Sequence, residues 1–319
     1  MRNAIGITFM LGVVLLAANA SAGARHKFEG YAEWRKGDDL IIDGRRVRPA
    51  PHCSFKGKGA AHDFNSIPLG YEVKVEAEAL PEGGWLAHKI EAKPNSMAMF
   101  ESDILHDFDA IEDDFIHWGR VFDVDHGCLL DYGRLIMDGP DIRRVRRIVE
   151  RLLPPYLDPG SIRVYVVEHD DWNAVATPNG AVLVNMGLLD SMDDDELALV
   201  LACELVHMTH EHARRKAKKR YWADLVTLGG LTVADHIDSD TGRAAASALA
   251  VVGGIALQHG YSRKCEEQAY RVGLRYAIEA GYDISRAQRL SERFAARYGD
   301  GHGRFFKSCA IDRIMPALN

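Results

Sequence analysis

The sequence predicts an α+β fold, in which a small all-β, barrel-like module precedes a mainly helical region with a small sheet of its own. Three observations carry this expectation. Tyr71 to Leu80 sets Tyr71, Val73, Val75 and Ala77 against Glu72, Lys74, Glu76 and Glu78, which is the period-2 pattern of a strand with one wet face. Ile142, Val145, Ile148, Val149 and Leu152 fall at helical spacing. Ser191 to Arg220 has an acidic start, an apolar middle and a basic end, the layout of a well-capped helix.

The chain begins with Arg2, an apolar run from Ile5 to Ala18 and small residues through Ala24, the order of a secretory signal peptide. Residues 1–24 are therefore expected to be removed on export, with cleavage after Ala20, Ala22 or Ala24. The apolar run is short for a membrane span, so no transmembrane segment is expected beyond the signal. Export to the periplasm or cell envelope would place the five cysteines, Cys53, Cys128, Cys203, Cys265 and Cys309, in an oxidising compartment. Their odd number leaves at least one free, metal-bound or paired outside the chain.

Residues 25–95 form the expected β module. Pro81-Glu82-Gly83-Gly84 supplies a turn after the alternating strand, and Trp85 to Ala92 returns as its partner. The module either binds or positions something, or serves as a spacer. Residues 96–140 are an acidic connecting segment, in which Phe100 to Phe122 is expected to give a helix and a loop. From 141 onward the pattern turns helical, with Pro154-Pro155 ending the first helix. Ile162 to Val167 and Ala181 to Asn185 read as short β-branched strands, the second introduced by Pro178-Asn179-Gly180. Asp193 with Glu196 makes a capping box for the Ser191 to Arg220 helix. Ala244 to Gln258 suits a buried small-residue helix, and a last helix is expected over Arg263 to Ala280, closed by Gly281.

A chain of 319 residues with 47% apolar and 27% charged composition can bury a full core. Its net charge of −7 argues against a nucleic-acid partner, because the one dense cationic run, Arg214 to Arg220, sits at a helix end.

The chemistry concentrates in Cys203-Glu204-Leu205-Val206-His207. In the pattern His-Glu-x-x-His, two histidines four apart share a helical face and hold Zn²⁺, while the Glu activates the metal-bound water. Here the first histidine is Cys203. Downstream, Glu266, Ala269, Tyr270 and Gly273 share one face of the last helix, and the small Ala269 and Gly273 allow close approach of a second helix. Glu266 is thereby expected to meet His207. His210 is expected to be solvated or to support the site from behind, with the option of serving as a substitute ligand. His302 is expected to sit in a loop. His88, His117, His126, His236 and His259 have no ligand-like spacing.

From about Asp141 to Leu318 the chain resembles the gluzincin-type zinc metallopeptidases related to the CAAX prenyl protease and HtpX, especially their soluble bacterial envelope branch. The resemblance rests on Asn173-Ala174 with Pro178-Asn179-Gly180, on Gly187-Leu188-Leu189 and on Asp195-Glu196-Leu197-Ala198. It continues through the Glu204-to-His212 helix, the Tyr261-Ser262-Arg263 to Gly273 block and Ala280-Gly281-Tyr282-Asp283. It implies a mainly helical zincin-type metallopeptidase domain over 141–319, with one Zn²⁺ as cofactor. Within it, Glu204 matches the general base, His207 and Glu266 match metal ligands, and His212 matches a structural histidine at the helix end. The strand Ala181, Val182, Leu183, Val184 and Asn185 matches the cleft edge along which an extended substrate pairs.

Three positions depart from that family's pattern. Cys203 replaces the first ligand histidine, Tyr270 stands where the family has an Asp, and Cys309-Ala310 stands where many relatives carry His-Pro. The first two departures belong together, because a ligating imidazole donates its other N–H to a carboxylate, and that carboxylate loses its purpose once the histidine is gone. Two outcomes stay open. Cys203 binds zinc as a thiolate with His207 and Glu266, with Tyr270 in support, giving an exported metalloendopeptidase that cuts envelope proteins. Alternatively the metal is lost, Cys203 pairs with Cys309, and the fold survives as a pseudoprotease that binds polypeptide or an envelope protein partner through the same cleft.

Overall fold

The computed structural model describes residues 24–95, 120–123, 128–131, 134–177, 179–213, 215 and 261–298. The expected signal segment, most of the acidic connecting segment, the helix at Ala244 to Gln258, His302 and Cys309 lie outside the described residues.

Five strands make a closed barrel: β1 (His26–Lys36), β2 (Asp39–Ile42), β3 (Arg45–Gly57), β4 (Glu72–Ala79) and β5 (Trp85–Lys93), in the order β1-β2-β3-β5-β4. The alternation read in the sequence sets the barrel's inside and outside. Val73, Val75 and Ala77 of β4 are buried with Val47, Ala87 and Ile90, while Lys74 faces out. The β4–β5 turn closes through Gly83 N–H to Leu80 O and Leu80 N–H to Gly84 O, each 3.0 Å.

A two-stranded sheet, β6 (Arg120–Asp123) with β7 (Cys128–Asp131), follows. Residues 120–122 are therefore strand and not the helix or loop expected there, because cross-strand pairing outweighs an acidic composition that alone favours neither state.

The second sheet has the order β10-β11-β9-β8, from β8 (Leu135–Ile136), β9 (Arg163–Val167), β10 (Ala174–Ala176) and β11 (Ala181–Asn185). Here the structure corrects the sequence reading. Strand Ala181 to Asn185 is not an edge, because it pairs in parallel with β9 on one side and antiparallel with β10 on the other. Among the described residues the edge beside it is the three-residue strand Ala174–Ala176, too short for periodicity to reveal, and β8 forms the opposite edge.

Among the described residues the α-helices are α1 (Pro140–Leu152), α2 (Met186–Ser191), α3 (Asp194–Thr209), α4 (Arg263–Glu279) and α5 (Arg286–Tyr298). The single helix expected over Ser191 to Arg220 is thus α2, a break at Met192, α3, and a second break after Thr209. Asp193 does cap α3, accepting from Glu196 N–H at 2.9 Å, but the Glu196 side chain turns to Arg293 instead of completing the capping box. Every residue of α3 from Glu196 to Met208 is buried, the mark of a helix enclosed on all sides.

α3 stops without a glycine. Glu211 takes φ 55°, a left-handed conformation that costs a non-glycine residue about 1–2 kcal/mol. The barrel offsets that cost, because the Glu211 carboxylate accepts from Tyr31 O–H at 2.6 Å and from Asn95 Nδ2 at 3.0 Å.

The barrel docks on α4 through its β2–β3 turn. Asp43 accepts from Gln268 Nε2 at 2.7 Å and from Arg271 at 2.6 Å, and Arg275 donates to Gly44 O at 3.1 Å. A side chain at Gly44 would meet the Arg271 carbonyl oxygen at 3.0 Å, so the turn reaches the helix backbone directly. No helix among the described residues is long and apolar enough to cross a membrane.

Candidate functional site

The site lies where α3 crosses α4 under the edge strand β10. The crossing is close because α4 presents Ala269 and Gly273. Ala269 is fully buried, and a Cβ on Gly273 would sit 3.0 Å from the backbone nitrogen of Cys203. Ser262 starts α4 by accepting from Cys265 N–H at 3.3 Å, which places Glu266 in the helix's first turn.

Glu266 reaches His207 as the sequence predicts, with Oε2 3.7 Å from Nε2. Its other oxygen accepts from Tyr261 N–H at 3.2 Å. The Tyr261 ring stacks on the His207 imidazole at 3.9 Å and 14°, a contact that the Tyr261-Ser262-Arg263 block did not by itself announce. Burial and the charges of Glu204 and Glu266 hold the Tyr261 phenol well above its ordinary range, so it remains neutral.

The other face of His207 is wired to the barrel. His212 Nε2 lies 3.0 Å from Gln268 Oε1, which can only accept, so Nε2 carries the proton. Burial pushes the His212 imidazole well below its usual pKa and keeps it neutral, leaving Nδ1 as an acceptor. It lies 2.9 Å from His207 Nδ1, which therefore donates. The chain of contacts runs from His207 through His212 and Gln268 to Asp43.

His210 does not behave as a solvated residue. It is buried, with Nε2 3.2 Å from Oε1 of the fully buried Glu33 and its ring edge-on to Tyr31. Glu33 sits at an irregularity in β1, beside the register shift between Ala32 and Trp34, and takes Gly44 N–H at 3.0 Å on its other oxygen. Nothing in the local sequence marks Glu33, Tyr31 or Asp43 as part of this site, because their partners are more than 170 residues away.

Glu204 reaches β10, its Oε2 accepting from Ala176 N–H at 3.3 Å. Tyr270 is buried, 4% exposed, one turn beyond Glu266. The Cys203 thiol is 2% exposed, and burial with the charges of Glu204 and Glu266 pushes its pKa well above the ordinary thiol range.

The expected Zn²⁺ is corrected by the arrangement of the side chains. Among the described residues no group of three or more His, Cys, Asp or Glu side chains comes together to hold a metal ion. His207 and Glu266 meet, but Cys203 does not join them as a third donor. Its proposed disulfide partner, Cys309, lies outside the described residues. An expected outcome follows: in the native protein iodoacetamide labels Cys265 and Cys53, both partly exposed, well before Cys203, which reacts only after denaturation. Equal labelling rates, read by peptide mass spectrometry, would contradict the burial described.

These features coincide with a known family. The model of peptidase family M48 matches residues 141–309, just over half of the chain. The chain belongs to peptidase family M48. Among its M48 relatives, the mitochondrial metalloendopeptidase OMA1 of Bos taurus is 33% identical over 130 residues, which is 38% of this chain and 24% of that protein. A putative beta-barrel assembly-enhancing protease of Vibrio cholerae is 30% identical over 138 residues, 42% of this chain and 28% of the relative. A protease HtpX homolog of Acidiphilium cryptum is 37% identical over 95 residues, 27% of this chain and 31% of the relative. The chain thus spans less than a third of the length of each of these M48 relatives.

Proposed function

We propose that this chain is a catalytically inactive member of family M48 that binds polypeptide, or a partner protein in extended form, in the cleft between β10 and the α3–α4 crossing. One observation carries the reading: among the described residues no group of three or more His, Cys, Asp or Glu side chains comes together to hold a metal ion, and the residue one turn before His207 is a buried cysteine. The edge of β10 has no strand partner among the described residues, so an extended chain can add to it through backbone hydrogen bonds. Glu204 occupies Ala176 N–H in the meantime, and an incoming strand would take that donor. The cleft binds without a means to hydrolyse.

An exported location, in the soluble envelope branch of the family, belongs to the same reading. The signal-like N-terminus supports it, as does the similarity to the putative beta-barrel assembly-enhancing protease of Vibrio cholerae.

The test uses the full mature chain. Purified protein should carry no stoichiometric zinc by elemental mass spectrometry and should not cleave labelled casein, yet it should bind reduced, alkylated ribonuclease A in an anisotropy titration. Stoichiometric zinc with proteolysis abolished by Glu204→Gln would overturn the proposal, and so would absence of binding.

A further inference from the structure

A groove of about 860 Å³ lies between the outer face of the barrel and the first turns of α4. It opens onto the cleft just described, because Tyr261 and His212 line it and both rings lie against His207, at 3.9 and 4.9 Å. Its walls are fixed to each other. Asp43 ties the barrel to Gln268 and Arg271 of α4, and Arg215 donates to Tyr31 O–H at 2.8 Å.

The barrel wall is a checkerboard of charge. Across strands β5, β4 and β1 one row reads Glu91, Lys74, Glu29 and the next reads Lys89, Glu76, Lys27, with each residue in direct cross-strand register. The signs alternate in both directions. Ion pairs of 3.5 Å join Lys27 to Glu76 and Lys74 to Glu29, and Lys89 meets Glu91 at 2.8 Å. Such exposed pairs are worth only about 0–1 kcal/mol each, so a ligand's charges can replace them at little cost.

Chemistry narrows the occupant. Seven cationic and six acidic side chains line the groove, a balance that gives no field for nucleic acid or an anionic membrane. Charged walls and an open side are unlike the mostly apolar pockets that take small molecules. Along one strand the charges repeat every second residue, about 6.6 Å, and that is also the spacing of side chains on one face of an extended polypeptide. Lys264, exposed at the groove's α4 side, has no ion-pair partner among the described residues and can meet an acidic side chain of such a segment.

We infer that this groove binds an extended polypeptide segment of mixed charge and delivers it past Tyr261 into the cleft, so that the barrel is the outer half of one binding surface. The inference rests on the polypeptide-binding reading above and adds the barrel to it.

The test places p-benzoylphenylalanine at Lys264 and, as a control away from the groove, at exposed His52, in the full mature chain with reduced, alkylated ribonuclease A as probe. Photocrosslinking is expected from position 264 and not from position 52. Replacing the wall charges together, Lys74→Gln, Glu76→Gln and Lys89→Gln, should weaken binding at least about tenfold while barely moving the melting temperature. Undiminished binding by the triple variant, or crosslinks from position 264 only to the chain itself, overturns the groove and leaves the cleft reading standing. Loss of all binding in the unmodified chain overturns both.

Discussion

Cys203→His combined with Tyr270→Asp is expected to build a zinc site that the described residues of the native chain do not form. Position 203 lies one helical turn before His207, and Glu266 already faces His207 at 3.7 Å, so an imidazole at 203 would supply the missing third donor. That imidazole needs a carboxylate on its second nitrogen, and position 270, buried one turn beyond Glu266, is where the resemblance implies one. Neither single change should suffice. Cys203→His alone adds bulk where the α4 backbone passes at Gly273, with no acceptor for the new N–H. Tyr270→Asp alone removes a large buried ring and leaves an unpaired carboxylate beside Glu266, so it should be the least stable of the three variants.

The measurement is the melting temperature with and without zinc. Zinc at about 100 times its Kd would stabilise the double variant by about 2.7 kcal/mol, a shift of roughly 5–10 °C, against none for the native chain. If Cys203→His alone responds as fully as the double variant, the two departures are independent and the argument that they arose together fails.

What the sequence could reveal follows from the reach of each signal. The alternation at Tyr71 to Leu80 and the spacing at Ile142 to Leu152 are local, and both became β4 and α1 at nearly the expected limits. The approach of Glu266 to His207 was legible because two small residues on one helical face, Ala269 and Gly273, announce a close crossing. The end of α3 was not legible. Nothing at His210-Glu211 breaks a helix, and the turn exists because Tyr31 and Asn95 hold a left-handed Glu211 from the barrel side. Likewise β10 was missed because three residues cannot show a period, and its place at the edge moved the predicted docking strand by one position in the sheet. The metal failed for a different reason. Spacing put Cys203 and His207 one turn apart on the same helix, but whether their side chains converge with Glu266 on one point depends on the helix crossing and on rotamers, which spacing does not encode.

Glu33→Ala is expected to cost about 1–3 kcal/mol for each buried polar group it leaves without a partner, the Gly44 N–H first among them. Glu33 is 0% exposed, and its two oxygens serve His210 Nε2 on the α3 side and Gly44 N–H at the turn that docks on α4. Its loss therefore strikes the joint between barrel and helices from both sides. Glu33→Gln keeps an acceptor for Gly44 and removes the charge, so it should cost much less. The two variants also separate packing from ionisation. Burial raises the Glu33 carboxyl above its ordinary value of 4.5, with His210 and Gly44 pulling the other way. An acid raised in the folded state holds its proton more tightly there than in the unfolded chain. Its contribution is then fully present below about pH 4.5 and is lost as pH rises through the folded value. Denaturant titrations at a series of pH values should show Glu33→Gln gaining on the native chain as pH climbs from 4.5. A difference that stays flat with pH would mean that His210 and Gly44 fully compensate the burial, and that the joint is held by its charge and not in spite of it.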